Sequence, residues 1–372
     1  MKSFTFIAGL CMIALAGCNS TPKEATEPSL KEALKGKFYI GTALSVPYIY
    51  QQDPLADELI KYQYDAIVAE NCMKMMYMQP KEGEFFWDEA DRFVEYGEAN
   101  GMFITGHNLV WHSQAPSWFF TDSEGKEVTR EVLIERMKTH IQTVVSHYKG
   151  RIKGWDVVNE AIMEDGSWRK SKFYEIIGPD FIDLAFQFAH EADPDCELYY
   201  NDYNEWYPGK IATIVDMIKR FKENGIRIDA IGMQGHVSMT SPTIEEYRAT
   251  IDAYTAAGVN VMVTELDMSA LPDFGSTSAN VSDRVAFEAA MNPYTAGLPE
   301  EVSNTWNNRM DDLFRLFLEK KDVLTRVTFW GVTDATSWKN DFPMPGRTDY
   351  PLPFDRDYKP KRIVYDIAEM TK

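Results

Sequence analysis

Short apolar stretches alternate with longer segments of helical spacing from residue 37 to the C-terminus. Most of the apolar stretches contain β-branched residues, which is typical of strands buried on both faces of a parallel sheet. We predict strands at residues 38–44, 66–69, 102–110, 152–158, 197–201, 228–234, 259–265 and 326–331.

Helices are predicted between these strands. Asp88 is placed to cap a helix at 88–100 and Gly101 to end it. The other helices are predicted at 131–148, 173–191, 210–224, 244–257, 306–320 and 361–370. Eight strands alternating with helices predict an α/β protein, a single-domain (β/α)8 TIM barrel over residues 37–372. A doubly wound open sheet is the alternative, but residues 41–44 do not form the glycine-rich phosphate loop that it usually carries.

A long segment, residues 269–305, separates the seventh predicted strand from the next helix and is rich in Ser, Asn, Pro and Gly. Loops of this length are usually functional or flexible. We find no internal repeat and predict no second domain.

The N-terminus reads as an export signal. Lys2 precedes an apolar run at 4–16 that is too short to span a bilayer comfortably, and small residues then precede Cys18. We therefore predict a lipoprotein signal peptide at 1–17, lipidation of Cys18 and a linker at 18–36. The protein is then exported and anchored to a bacterial membrane by this lipid only, facing either the periplasm or the cell exterior. The alternative is an ordinary signal peptide with an incidental Cys18.

The composition limits the classes of molecule that the protein could bind. The formal net charge of −19 disfavours nucleic acid, whose phosphates would be repelled. Aromatic residues make up 13% of the chain, which suits a large core and also a cleft that stacks sugar rings. Once the signal is removed and Cys18 is lipidated, only Cys72 and Cys196 remain. We predict that both are buried and unpaired.

Polar and aromatic side chains recur at the C-terminal ends of the predicted strands. In a barrel these ends meet at one face, which carries the active site. Ordinary solvated ends would carry Lys, Ser and Gly instead. The candidate substrate-binding residues are Glu70, Asn71, Lys74, His107, Trp111, Gln114, Asn159, Tyr203, Asn204, Gln234, His236, Asp267, Trp330 and Trp338.

Glu160 and Glu265 are the candidate catalytic residues. They follow the fourth and seventh strands, which face each other across a barrel mouth. Paired carboxylates cleave glycosidic bonds when one is protonated and the other ionised, so their surroundings must push their pKa values apart. We expect His236, Asp267 and Gln234 to hold Glu265 ionised and oriented. A lone glutamate at a strand end is more often a salt-bridge partner, and it is the pair that carries the hypothesis.

Other chemistries are less well supported. His107, His112 and His236 do not have the spacing of metal ligands, so we predict no metal and no cofactor, although the Asp-containing loops leave a calcium site open. Ser113 and Ser337 lack the Gly-x-Ser-x-Gly elbow of a serine hydrolase.

Several motifs resemble those of glycoside hydrolase family 10, the endo-β-1,4-xylanases. The resemblance runs from about residue 37 to the C-terminus, on residues 70–74, 106–112, 155–161, 200–204, 232–236, 263–267 and 330–338. It implies a retaining double displacement. Glu160 would protonate the leaving oxygen and then activate water, and Glu265 would form a covalent xylosyl–enzyme intermediate.

The resemblance also implies roles for the other candidates. Trp330 would lie beneath the sugar at the cleavage point. Tyr203 and Asn204 would contact the leaving group, and His236 and Asp267 would support Glu265. The non-reducing side would be lined by Glu70, Asn71, Lys74, His107, Trp111, Asn159, Gln234 and Trp338. The expected partners are xylan and xylo-oligosaccharides, with the enzyme a monomer.

Two departures from the family pattern stand out: Cys72 inside the second motif and the long segment 269–305, which leaves substrate preference on the leaving-group side open. An endo-β-1,4-glucanase or a mixed xylanase/glucanase is the alternative enzyme. A non-catalytic cell-surface glycan-binding lipoprotein is the alternative from another class.

Overall fold

The structure, a computed structural model, describes residues 27–272 and 289–372. Within these residues eight parallel strands pair in sequence order, and β6 pairs with β7 to close the ring. The predicted (β/α)8 barrel is therefore confirmed, with strand ends displaced by a few residues. The barrel strands are β1 Tyr39–Leu44, β2 Ala66–Ala69, β3 Phe103–Trp111, β4 Gly154–Asn159, β5 Glu197–Asp202, β6 Ala230–Met233, β7 Asn260–Met268 and β8 Leu324–Phe329.

Helices surround the barrel and bury their apolar faces against it. Their amphipathic patterns place Leu and Ile inward, as in α12, where Ile363, Val364 and Ile367 are fully buried. The helices are α1 Leu30–Leu34, α2 Val46–Ile49, α3 Pro54–Gln63, α4 Met75–Met78, α5 Asp88–Ala99, α6 Arg130–His147, α7 Lys172–Ile177, α8 Phe181–Ala192, α9 Pro208–Glu223, α10 Ile244–Ala256, α11 Glu300–Glu319 and α12 Arg362–Met370.

Two helix predictions are corrected. The single helix predicted at 173–191 is two helices, α7 and α8, because Gly178 adopts φ 101° and Pro179 follows it. Neither residue suits a helix interior. Asp88 is the first helical residue of α5 rather than its cap, a position occupied by Trp87. Gly101 follows that helix at φ 64°, in the left-handed conformation that ends helices.

Helix α1 lies within the stretch predicted as a linker. Leu30 and Leu34 are fully buried, and the Leu30 amide donates to the side chain of Gln63 (2.9 Å) at the end of α3. The end of α3 leads into β2 and the end of α1 leads into β1, so α1 lies at the N-terminal face of the barrel. This part of the predicted linker is therefore a packed element, because its leucines have a core to enter.

Several predicted segments lie wholly or partly outside the residues that the structure describes. The signal peptide, Cys18 and the first part of the linker fall outside the described residues. So do residues 273–288 of the long segment, while α11 begins at Glu300 and takes up the last part of that segment. No helix in residues 27–272 or 289–372 is long and apolar enough to cross a membrane.

The interior is apolar and closely fitted. Trp155 of β4 is fully buried, and a Cβ built on Gly106 of the neighbouring β3 would lie 2.2 Å from its ring. Only glycine leaves room for that indole. Cys72 and Cys196 are buried free thiols, as predicted.

Candidate active site

A cleft of about 350 Å³, partly open to solvent, lies at the C-terminal ends of the strands. It brings together side chains that are far apart in the sequence, as a barrel mouth does. Both candidate catalytic glutamates line it, and each is only 6% exposed. The lining residues are Lys74, His107, Trp111, Asn159, Glu160, Gln234, His236, Glu265, Trp330 and Trp338.

Glu160 lies just beyond β4, and neutral donors hold its carboxyl group. The Trp111 indole N–H donates to Oε2 (2.8 Å), and the Gln234 amide donates to Oε1 (3.0 Å). The amide of Asn159 adds a longer bond to Oε1 (3.2 Å). We expected Gln234 to hold the Glu265 carboxylate, but its side-chain amide binds Glu160, and only its backbone carbonyl meets Glu265, accepting from the Glu265 N–H (2.7 Å).

Glu265 lies in β7 and has a different set of partners. Asn201 donates to Oε1 (2.8 Å), and His236 Nε2 lies 3.2 Å from Oε2. Burial alone would raise the pKa of Glu265. The His236 hydrogen bond, the nearby imidazole of His107, the charge on His236 and the Asn201 amide outweigh burial and lower it. Glu265 is therefore an ionised carboxylate.

His236 carries the charge that Glu265 needs. Burial acts to lower the pKa of His236, but the attraction of Asp267 and hydrogen bonds with Asp267 and Glu265 raise it to about 9. Its Nδ1 lies 3.0 Å from Asp267 Oδ1, so the two groups form an ion pair. His236 is thus an imidazolium between two carboxylates.

Asp267 is itself fixed by two further groups. The Trp338 indole donates to its Oδ2 (2.7 Å), and Lys339 Nζ lies 3.5 Å from its Oδ1. Burial opposes ionisation, but the charges of His236 and Lys339 lower the pKa of Asp267. The carboxylate therefore stays charged and keeps His236 protonated.

The histidine beside Glu160 is in the opposite state. Nδ1 of His112 lies 3.9 Å from Glu160 Oε2, and burial, assisted by the charge of Arg169, lowers the pKa of His112 to about 3. This imidazole is neutral at ordinary pH. The two glutamates thus differ in whether the adjacent histidine carries a charge.

A polar chain leads from the cavity to the end of β2. Lys74 Nζ donates to Asn71 Oδ1 (3.0 Å), and Asn71 donates to Glu70 (3.3 Å). Burial lowers the pKa of Lys74, although the charges of Glu265, Glu70 and Glu160 oppose that effect. The Lys74 ammonium also lies 4.9 Å from the Trp111 ring centre. These groups suit the hydroxyls of a sugar.

His107 and Trp330 form another wall. His107 Nδ1 lies 2.8 Å from the buried carboxylate of Asp156, which fixes the ring. Trp330 meets His107 edge-on with ring centres 5.4 Å apart. An apolar face backed by a fixed imidazole suits the C–H surface of a sugar ring.

Six of the candidate substrate-binding residues do not line the cavity. Glu70 and Asn71 lie behind Lys74, and Asp267 lies behind His236. The other three are Tyr203, Asn204 and Gln114. Tyr203 is buried, and its hydroxyl group accepts from Arg169 (2.7 Å). Asn204 is also buried, and its amide donates to Glu164 (3.3 Å). The carbonyl of Gln114 accepts from the backbone of Met76.

Both glutamates have functional neighbours that were not among the predicted site residues. Asn201 is the penultimate residue of β5 and could have been chosen by the same strand-end argument, whereas the choice between its amide and that of Gln234 needs the folded geometry. His112 follows Trp111 within the motif at residues 106–112, but it was not among the predicted site residues. Arg169 lies in a loop and Lys339 in a short 3-10 helix, Trp338–Asn340, and no sequence pattern marks either residue. Within the described ranges, no group of three or more His, Cys, Asp or Glu side chains is arranged to hold a metal ion.

Known proteins resemble this chain over most of its length. The sequence profile described as glycosyl hydrolase family 10 matches residues 29–370. The endo-1,4-beta-xylanase A of Xylanibacter ruminicola is 46% identical over the whole length of both chains. The endo-1,4-beta-xylanase of Geobacillus stearothermophilus is 42% identical, over 92% of this chain and 98% of its own.

Solved structures show the same relationship. A GH10 endoxylanase retrieved from a sugarcane soil metagenome superposes with a TM-score of 0.89 at 43% identity, covering 92% of this chain and all of its own. The xylanase TsXylA of Thermoanaerobacterium saccharolyticum, solved as a mutant in complex with xylotriose, superposes with a TM-score of 0.79 at 36% identity, covering 91% of this chain and 98% of its own. The chain belongs to glycosyl hydrolase family 10.

Proposed function

We propose that this protein is a retaining endo-β-1,4-xylanase, with Glu265 as nucleophile and Glu160 as acid/base. The observation that carries the assignment is the unequal environment of the two glutamates around one cavity. Glu265 is held ionised beside the His236 cation, as attack on an anomeric carbon requires. Glu160 lies beside neutral groups and the uncharged His112.

In the first step, Glu265 attacks the anomeric carbon while the C–O bond to the leaving sugar breaks and Glu160 gives its proton to the departing oxygen. In the second step, Glu160 removes a proton from water, which attacks the same carbon and releases Glu265. The Asn201 and His236 hydrogen bonds aim the Glu265 carboxylate. The Trp111 and Gln234 bonds orient Glu160.

The sugar on the non-reducing side would meet the polar chain of Glu70, Asn71 and Lys74, with Trp330 beneath the sugar at the cleavage point. Support comes from the cavity lining and from the donors and acceptors that these side chains offer. Tyr203 and Asn204 would shape the leaving-group side from the loop after β5, as buried supports of that loop.

The first test is release of reducing sugar from glucuronoxylan by a chain beginning near Ser20. Glu160→Ala and Glu265→Ala should each lose about 10³-fold or more in activity. Azide should rescue the two variants with opposite anomers of glycosyl azide, β for Glu160→Ala and α for Glu265→Ala. A folded wild type that binds xylan without cutting it would favour the glycan-binding alternative.

Xylan should be preferred over glucan because Trp338 is held in the wall. Its indole N–H is bound to Asp267, and its ring stacks on Phe342 with centres 4.7 Å apart. Such a ring leaves little freedom to accommodate the extra hydroxymethyl group of glucose. Trp338→Ala should raise the ratio of activity on carboxymethylcellulose to that on xylan by about 10-fold. An unchanged ratio would remove Trp338 as the basis of selectivity.

We also propose export, cleavage before Cys18 and lipid anchoring. Support comes from the basic start, the apolar run and the small residues before Cys18. Expressed in a bacterial host, the full chain should partition with membranes, whereas Cys18→Ala should not. Equal partitioning of the two would contradict the anchor.

A further inference from the structure

The backbone at Glu160 is held in an unusual conformation. Its φ is 58°, in the left-handed region that a residue with a side chain rarely adopts. Conformations of this kind persist only where the surrounding structure holds them. The direction of the Glu160 carboxyl group depends on this backbone, because the side chain leaves the chain at that point.

Three hydrogen bonds hold the peptide groups on either side of Glu160. Its own N–H donates to the carbonyl of Asn201 (2.9 Å), and the next N–H, that of Ala161, donates to the hydroxyl group of Tyr200 (3.0 Å). Both partners belong to β5, the neighbouring barrel strand. The third bond runs from Nε of Arg169 to the carbonyl of Glu160 (2.8 Å). The donor of this third bond is a side chain in the loop after β4.

Arg169 reaches a second group with the same guanidinium. Its Nη2 donates to the hydroxyl group of Tyr203 (2.7 Å), while its backbone N–H donates to the carbonyl of Ala161 (2.8 Å). Tyr203 is a firm support, because the buried Lys210 donates to its carbonyl (2.7 Å). Arg169 therefore ties the backbone of Glu160 to the loop after β5.

We propose that Arg169 is a positioning residue for the acid/base: it holds the left-handed backbone of Glu160 against Tyr203, so that the carboxyl group is aimed at the leaving oxygen. The inference rests on the proposed role of Glu160. A guanidinium suits the task because its donors have fixed directions and reach two acceptors at once. A lysine side chain could reach only one of them.

The test separates proton donation from nucleophilic attack. Dinitrophenolate leaves without a proton, so kcat/KM for 2,4-dinitrophenyl β-xylobioside reports attack by Glu265 alone, whereas xylotetraose needs the proton from Glu160. Arg169→Met should lose about 10²-fold in kcat/KM on xylotetraose and less than about 3-fold on the aryl substrate. Arg169→Lys should lose about 10-fold on xylotetraose, a partial rescue.

Azide provides a second readout. Water needs Glu160 as base in the second step, and azide does not. Azide should therefore accelerate turnover of the aryl substrate by Arg169→Met and leave the wild type unchanged. A loss that came only from a weakened fold would not respond to azide.

Arg220→Met is the matched control. Arg220 lies close to the same loop, with its guanidinium 5.9 Å from the Trp168 ring centre and 2.6 Å from Asp183, but it contacts neither glutamate. This variant should match the wild type on both substrates.

Equal losses on the two substrates, or no loss on either, would overturn the inference. Circular dichroism would report whether Arg169→Met folds, and if it does not, the ratio of losses in Arg169→Lys decides. A Glu160→Ala variant that does not discriminate between the substrates would overturn the assignment of Glu160 itself. That failure is distinct from one confined to the Arg169 variants.

Discussion

At the scale of single residues, the site gives one side-chain type two opposite charge states. His236 and His112 are both largely buried, which disfavours a charged imidazole. Asp267 and the hydrogen bond to Glu265 reverse that effect for His236, whose pKa rises to about 9. At His112 burial and the charge of Arg169 prevail, and its pKa falls to about 3 although Glu160 lies 3.9 Å away. The histidine beside Glu265 is therefore charged, and the one beside Glu160 is neutral.

This difference predicts how stability depends on pH. A histidine has a pKa near 6.5 when unfolded, so the raised pKa of His236 stabilises the fold fully below about pH 6.5, and the contribution is lost as pH rises through about 9. Urea unfolding should show a wild-type advantage over His236→Gln that shrinks by about 3 kcal/mol between pH 6 and pH 10.

His140→Gln is the control for that experiment. His140 is buried, and burial lowers its pKa to about 3, so it is neutral throughout this window. Its unfolded form still loses a proton near pH 6.5, so the wild type should gain slightly on His140→Gln, by less than about 1 kcal/mol, between pH 6 and pH 10. A constant difference for His236→Gln, or one that changes in the same direction as that of His140→Gln, would contradict the imidazolium assignment.

Glu205 predicts a dependence of the same sign over a lower range of pH. It is fully buried, neither carboxyl oxygen receives a hydrogen bond from another residue in the described ranges, and burial raises its pKa to about 8. An acid with a raised pKa costs stability as pH rises from its unfolded value near 4.3 to its folded value. The free energy of unfolding of Glu205→Gln, measured in urea, should therefore increase relative to that of the wild type between about pH 4.5 and 8. A gap that stays constant would contradict this.

At the scale of elements, strand β6 supplies space to its neighbour β5. A Cβ built on Gly232 would lie 2.4 Å from Oδ1 of Asn201 and 2.9 Å from the methyl group of Thr264. The side-chain amide of Asn201 accepts from the Thr264 hydroxyl group (2.6 Å) and donates to Glu265. The absence of a side chain on one strand thus positions a hydrogen bond to the nucleophile.

Gly232→Ala should therefore reduce kcat on xylan by about 10-fold or more through displacement of Asn201. A double-mutant cycle with Asn201→Ala tests the route. In the Asn201→Ala background the added methyl group meets no amide, so the further loss should be small. Additive losses would show that Gly232 acts through something else.

The elements also show what the sequence could and could not predict. The strands and their polar ends were predictable because a buried parallel strand is a run of apolar residues, and the polar residues that follow it mark its end. Gly178 and Pro179 indicate a break between α7 and α8, but the apolar spacing on both sides of them predicted a single helix. The partners of Glu265 were only partly predictable, since the choice of Asn201 over Gln234 depends on side-chain directions across strands distant in sequence. Arg169 carried no local signal at all.

At the scale of the whole molecule, the packed body begins before the first strand. Leu30 and Leu34 are fully buried in the main core, and the family profile also begins at residue 29. Leu30→Ala and Leu34→Ala should each cost about 2–5 kcal/mol in urea unfolding, with kcat on xylan unchanged. A chain starting at Lys37 should lose more than either. Equal stability of that chain and one starting at Glu27 would contradict the packing of α1.

The position of α1 also bears on how the enzyme would face its surroundings. This helix lies at the N-terminal face of the barrel, and the cleft opens at the opposite face. A lipid on Cys18 would thus hold the molecule by its base, with the mouth directed away from the bilayer. A long polysaccharide could then cross the cleft from either end without approaching the membrane surface.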